Sequence, residues 1–144
     1  MRTKLLILSI LTACAVNAQD EMPVRVVITR LNEAISSRDN NALQQLFTSD
    51  ATLLINGQLI ARGPRYIASA IPRMPSDSRV FTETTSPKIG VVSIRFPARS
   101  LAEVLAEEAQ YGSILLKSSL PVAISLKRFG REWRITSMSW LRSN

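Results

Sequence analysis

The stretch TLLINGQLI, Thr52 to Ile60, marks the place where the hydrophobic period of this chain changes. Before it, apolar residues recur at Val24, Val27, Ile28, Leu31 and Ile35, the spacing of one helix face. At it, two short apolar runs flank Asn56–Gly57. That dipeptide is the strongest local hairpin signal, because both central residues of such a turn take positive φ. A chain that opens with helices and turns to strands at a hairpin is directed to an α+β architecture, with helices gathered on one face of an antiparallel sheet.

The elements follow from local signals. A long amphipathic helix is expected from Pro23 to Ser37, with Asp20, Glu21 and Pro23 favourable at its start. Asn40 is expected to cap a short second helix carrying Leu43, Leu46 and Phe47. Thr48, Ser49 and Asp50 read as a helix-ending turn in which Asp50 holds backbone. Gly63 ends the hairpin, Pro64 suits a first helical position, and Pro72 stops a third helix before the loop Pro72 to Ser78. Strands are expected at Val80–Thr85, Ile89–Phe96, Leu120–Phe129 and Glu132–Leu141. Strict alternation in the last of these puts Trp133, Ile135 and Leu141 opposite Arg134, Thr136, Met138 and Trp140, so the two tryptophans face opposite ways.

SLAEVLAEEAQY, Ser100 to Tyr111, is ambiguous on local grounds. Ser100 and Glu103 make a capping box and the interior is rich in Ala, Leu and Glu, which favours a helix. As a strand it carries Leu101, Glu103, Leu105 and Glu107 on one face and Ala102, Val104, Ala106 and Glu108 on the other. The second face, small and apolar, is then the one expected to pack.

The N-terminus has the layout of an export signal. Arg2 and Lys4 precede the apolar run Leu5–Leu11, and VNA at residues 16–18 offers a cleavage site before Gln19. Residues 1–18 are therefore read as a signal peptide and residues 19–144 as one exported domain, periplasmic or secreted. LTAC at residues 11–14 resembles a lipobox, so lipidation and anchoring at Cys14 is the alternative. No later run approaches the ~18 apolar residues of a transmembrane helix. Cys14 is the single cysteine and there is no histidine, which removes His dyads, Ser-His-Asp triads and His-ligated zinc from consideration. No metal site and no cofactor are expected. The formal charge of +7 falls by two when Arg2 and Lys4 leave with the leader. Its densest remainder is Lys127, Arg128, Arg131 and Arg134. Dispersed cations in an exported protein read as a solvated surface or a match for an anionic ligand or cell envelope, and not as a nucleic-acid interface.

The order and spacing of NNALQQLFTSDATLLING (residues 40–57), RGPRYI (62–67) and GREWRITSMSWL (130–141) resemble the nuclear-transport-factor-2-like (NTF2-like) superfamily, specifically its SnoaL-like branch. That resemblance implies a cone-shaped, cystatin-like α+β fold. A curved antiparallel sheet wraps three N-terminal helices, encloses an apolar pocket and dimerises through the sheet. It also implies that Leu101–Gln110 is a strand and that Phe96–Leu101, with Pro97, is a turn. Aligned with ketosteroid isomerase, a catalytic member of the superfamily, the positions of its tyrosine, base and protonated acid hold Leu31, Ile55 and Ser125. None of the three can move a proton, so the chain is read as leaning away from catalysis, with no catalytic residue assigned. Leu31, Ile55, Tyr66 and Ser125 are the expected pocket-lining residues. The expected role is a non-catalytic module that binds a small apolar molecule or another protein. The alternative is an acid–base enzyme on a small organic substrate, drawing on Glu83, Glu103, Glu107, Tyr66, Tyr111, Arg62 or Arg95. Glutamates alternating with apolar residues are more often solvent-facing, so Glu103 and Glu107 are expected to point away from the cone.

Overall fold

The computed structural model describes residues 21–71, 88–111 and 117–141. The leader with Cys14, Pro72 and the loop after it, the strand expected at Val80–Thr85 with Glu83, and the side chain of Tyr111 lie outside the described residues.

Helix α1, described from residue 21 to residue 37, buries Val24, Val27, Ile28, Leu31 and Ala34 along one stripe. Its outer face carries the Arg25–Glu21 ion pair. It ends on Arg38, held in the left-handed region at φ 54°. The Asp39 N–H donates to the Ala34 carbonyl at 3.0 Å and the Arg38 N–H to the Ile35 carbonyl at 3.2 Å. This is the paired C-terminal closure that usually recruits glycine. Asp39 then starts the next helix, α2 (Asn40–Gln45), its carboxylate accepting from the Ala42 N–H at 3.0 Å. The cap is thus Asp39 and not Asn40. A shared junction leaves no room for a second polar residue between the helices, and Asn40 is already helical.

Strand β1 (Phe47–Ile55) begins one residue after the α2 C-cap. Thr48, Ser49 and Asp50, read as a turn from sequence, belong to this strand. They form an irregular stretch: Phe47 lies opposite Ile135 and Thr52 opposite Ser137, so four residues of β1 face a single one of its parallel partner. Strand β2 (Gln58–Arg62) returns antiparallel through Asn56 and Gly57, at φ 49° and 78°, the conformation the dipeptide predicts. Gly63 at φ 86° leads into helix α3 (Pro64–Ala70), which buries Ile67 and Ala68.

The remaining strands are β3 (Lys88–Ala98), β4 (Leu101–Tyr111), β5 (Lys117–Phe129) and β6 (Glu132–Trp140). Among the described residues they complete one six-stranded sheet in the order β2-β1-β6-β5-β4-β3. Residues 101–111 are strand from end to end, paired with β3 on one side and β5 on the other. A helix there would leave both neighbouring ladders without partners, a cost that local Ala and Glu propensity cannot offset. Pro97 sits in β3, the last strand of the described sheet, where its missing N–H breaks none of the described ladders.

Bulges change which side chains face the core. In β6 the register against β5 shifts between Ile135, opposite Leu126, and Ser137, opposite Ser125. Thr136 is the extra residue, and its hydroxyl donates to the Ser125 carbonyl at 3.1 Å. The inward set is therefore Trp133, Ile135, Met138 and Trp140, all buried. The two tryptophans share a face, contrary to strict alternation, because one added residue inverts every later side chain. A second bulge, at Val92 in β3, likewise puts Ile89 and Val91 on the same side as Ile94 and Phe96. These residues, with Ala102, Val104, Ala106, Val122, Ile124 and Leu126, build the floor on which the helices lie.

Candidate functional site

Leu31 and Ile55 belong to the interior: Leu31 is fully buried, and Ile55 is half-buried against the core. Tyr66 lies on the outer side of α3 with 68% of its surface exposed. Ser125 sits between Ile124 and Leu126, which are buried, so its side chain is on the opposite face of β5. These four side chains do not converge on one space. Leu31 and Ile55 lie inside the layer of helices and sheet, Tyr66 and Ser125 outside it.

The glutamates of β4 divide by parity. Glu103 and Glu107 are on the exposed face, where Glu103 pairs with Arg95 directly across the strand boundary. Glu108 shares the inward face with Ala102, Val104 and Ala106 and is half-buried. Its carboxylate accepts a hydrogen bond from the Trp140 indole N–H at 2.8 Å. Trp140 reaches across β5 to make it, and Trp140 lies opposite Ile55 on β1. Sequence parity places Glu108 on the packing face, yet nothing there marks it as important. The missing signal is its donor, which is on the right face only because of the bulge at Thr136. Among the described residues no group of three acidic or thiol side chains converges in a way that could hold a metal ion.

The face of the sheet away from the helices has its own order. One row crosses all six strands through Ser93, Leu105, Ala123, Ser139, Leu54 and Leu59. None of them is charged. At ~4.8 Å per strand this row is about 24 Å long. The adjacent row runs Arg95, Glu103, Ser125, Ser137, Thr52 and Arg62, with charges at its ends and three small hydroxyl residues in the middle. Leu105 and Leu59, about half exposed, stand up from this otherwise low surface.

A separate open cleft of about 830 Å³ runs along α1 and α2 to the start of β6. Arg30, Arg131 and Arg134 line it together with Glu33, Asp39 and Glu132, so its charges balance. Asp39 is committed to capping α2, and Glu132 pairs with Arg134 at 3.2 Å. The Thr48 hydroxyl, in the irregular part of β1, is buried and finds no hydrogen-bond partner among the described residues.

No protein-family model and no curated protein matches the sequence. Solved structures do match. An NTF2-like protein with a cystatin-like fold from Novosphingobium aromaticivorans superposes with a TM-score of 0.70 at 18% identity, over 91% of this chain and 86% of its own. A domain of unknown function with a cystatin-like fold from Nostoc punctiforme gives 0.67 at 18% identity, covering 88% of this chain and 78% of that one. An NTF2-like protein of unknown function from Shewanella oneidensis gives 0.65 at 14%, covering 85% and 98%. At such identities the likeness is one of fold, and it does not extend to activity. No helix among the described residues is long and apolar enough to cross a membrane.

Proposed function

On the premise of an NTF2-like, cystatin-like fold, we propose that this chain is an exported, non-catalytic interaction module that self-associates through the open face of its sheet. The uncharged row Ser93–Leu105–Ala123–Ser139–Leu54–Leu59 carries the reading. A second sheet packs about 10 Å away when the facing side chains are small, apolar and unburdened by charge. The central residues Ala123, Ser125, Ser137 and Ser139 meet that requirement, and Leu105 and Leu59 supply protruding apolar area. Charges at the ends of the neighbouring row fit a polar rim around such a contact.

Sedimentation equilibrium of the mature chain tests it. A dimer in the micromolar range is expected, and Leu105→Glu should return the protein to a folded monomer whose thermal midpoint no longer rises with concentration. A wild-type chain that stays monomeric at high concentration rules the reading out. Export is tested separately by mass spectrometry of the protein from its native host. A mature start at Gln19 marks simple cleavage, a lipidated Cys14 marks an anchored form, and an intact Met1 contradicts both.

The Glu108–Trp140 pair favours a second reading, in which the inner end of the sheet receives a small organic molecule. Among the described residues Glu108 is the carboxylate on the packing face, and a carboxylate beside apolar surface is a hydrogen-bonding anchor or a general base. A thermal-shift screen of small organic molecules, repeated with Glu108→Gln, separates the possibilities. Hits whose stabilisation disappears in the variant support a pocket there, whereas hits indifferent to the substitution place binding elsewhere.

A further inference from the structure

The cationic cluster of residues 127–134 is joined at one end of the sheet by Arg99, distant in sequence. The β3–β4 turn, Arg99–Ser100, and the β5–β6 turn, Gly130–Arg131, lie at the same end. They are joined there by a hydrogen bond from the Arg128 N–H to the Ser100 carbonyl at 2.8 Å. Leu101, Lys127 and Arg134 stand in one row across three strands beside them. This tip thus carries Arg99, Lys127, Arg128, Arg131 and Arg134; Glu132 pairs with Arg134, Glu103 in the next row pairs with Arg95, and Glu33 and Asp39 border the cleft that Arg131 and Arg134 also line. Arg99, Lys127 and Arg131 are exposed and make no ion pair among the described residues. Two apolar side chains stand out between them: Phe129, 49% exposed, and Leu101, 41% exposed.

We propose that this tip docks on an anionic lipid bilayer, with the cations at headgroup level and Phe129 and Leu101 entering the interface. Clustered Lys and Arg near an anionic surface gain attraction that falls off within a Debye length, and apolar side chains among them convert that attraction into partitioning. A nucleic acid fits less well. Single-stranded binders offer free aromatic faces for stacking, whereas Lys127 lies over the Phe129 ring at 5.4 Å and Arg128 over the buried Trp133 at 5.8 Å. An acidic protein surface would be met by the cations but gives Phe129 and Leu101 no apolar medium to enter. The tip is distinct from the uncharged row proposed for self-association, so the two readings stand or fall separately.

Vesicle sedimentation with the purified mature chain tests the proposal. The chain should pellet with phosphatidylcholine vesicles containing about a third phosphatidylglycerol, remain in solution with pure phosphatidylcholine, and detach in ~0.5 M salt. Arg99→Ala, Lys127→Ala and Arg131→Ala should each lower partitioning, by about five-fold per cation when combined. Phe129→Ser should weaken binding while keeping its salt dependence. Arg62→Ala, the same change of charge on the β2 edge, should bind as wild type, and all variants should keep the wild-type thermal midpoint. Equal binding to neutral vesicles, no binding to anionic ones, an undiminished triple variant, or capture by DNA or heparin without capture by vesicles would each overturn it.

Discussion

Asn32 of α1 grips the backbone of Ile89 in β3 with both ends of its side-chain amide. Its Nδ2 donates to the Ile89 carbonyl and its Oδ1 accepts from the Ile89 N–H, each at 2.8 Å. Among the described residues no strand pairs with the outer side of β3, and the amide stands in for a peptide group there. It ties the first helix to β3, the outermost described strand, and occupies backbone groups there that no other described strand pairs. Asn32→Ala should cost about 2 kcal/mol in urea denaturation, about 1 for each bond. Asn32→Asp should not rescue it, because a carboxylate oxygen would then face the Ile89 carbonyl. Wild-type stability in the alanine variant would show that water replaces the amide without loss.

Trp140→Phe removes the donor to Glu108 and part of a buried ring system, and about 2–3 kcal/mol of destabilisation is expected. Glu108→Gln keeps an acceptor for the indole and should stay within about 1 kcal/mol of wild type. Trp133 is the other tryptophan, so a Trp133→Phe background isolates Trp140 emission. Glu108→Leu should change that emission, because the indole N–H loses its partner.

Thr136 can be tested by deletion as well as by substitution. Thr136→Ala loses one hydrogen bond to the Ser125 carbonyl, worth about 1 kcal/mol. Deleting the residue removes the bulge and would turn Met138 and Trp140 to the outside, or force Trp133 and Ile135 out instead. The deletion should abolish cooperative unfolding, measured by circular dichroism, while the alanine variant keeps it.

At the α1–α2 junction neighbouring substitutions should have opposite signs. Arg38→Gly relieves a left-handed conformation at φ 54° and should stabilise by about 0.5–1 kcal/mol. Asp39→Ala removes the cap of α2 and should destabilise by about 1 kcal/mol. Thermal midpoints moving in the same direction would contradict this account of the junction.

Thr48 offers the least expected sign. Its buried hydroxyl has no partner among the described residues, so Thr48→Val, which keeps the shape, should stabilise by about 1 kcal/mol. Thr48→Ser keeps the hydroxyl, loses a methyl group and should destabilise by a similar amount. A loss of stability in the valine variant, read from denaturant midpoints, would mean that an ordered water satisfies the hydroxyl.

What could be read from sequence follows local physics. The first helix was legible because a stripe at helical spacing has no strand equivalent, and the first hairpin because Asn-Gly meets a strict backbone demand. Helix propensity misleads at residues 100–111, where the capping box is outweighed by ladders on both sides of β4. Of the expected pocket residues, Leu31 and Ile55 are interior and Tyr66 and Ser125 are not. An alignment by turn and closing strand carries no information about which face of a strand a given residue occupies.

The amino-acid sequence by itself determined the order of the elements, the period change at the Asn56–Gly57 hairpin, and the outward parity of Glu103 and Glu107. Only the tertiary structure decided that Trp133 and Trp140 share a face, that Glu108 meets an indole, and that Arg99 joins the cations of residues 127–134 at one tip. The physical reason is common to all three. Bulges, cross-strand register and the shared end of two hairpins are relations between strands, set when ladders pair, and no single strand carries them in its own residues.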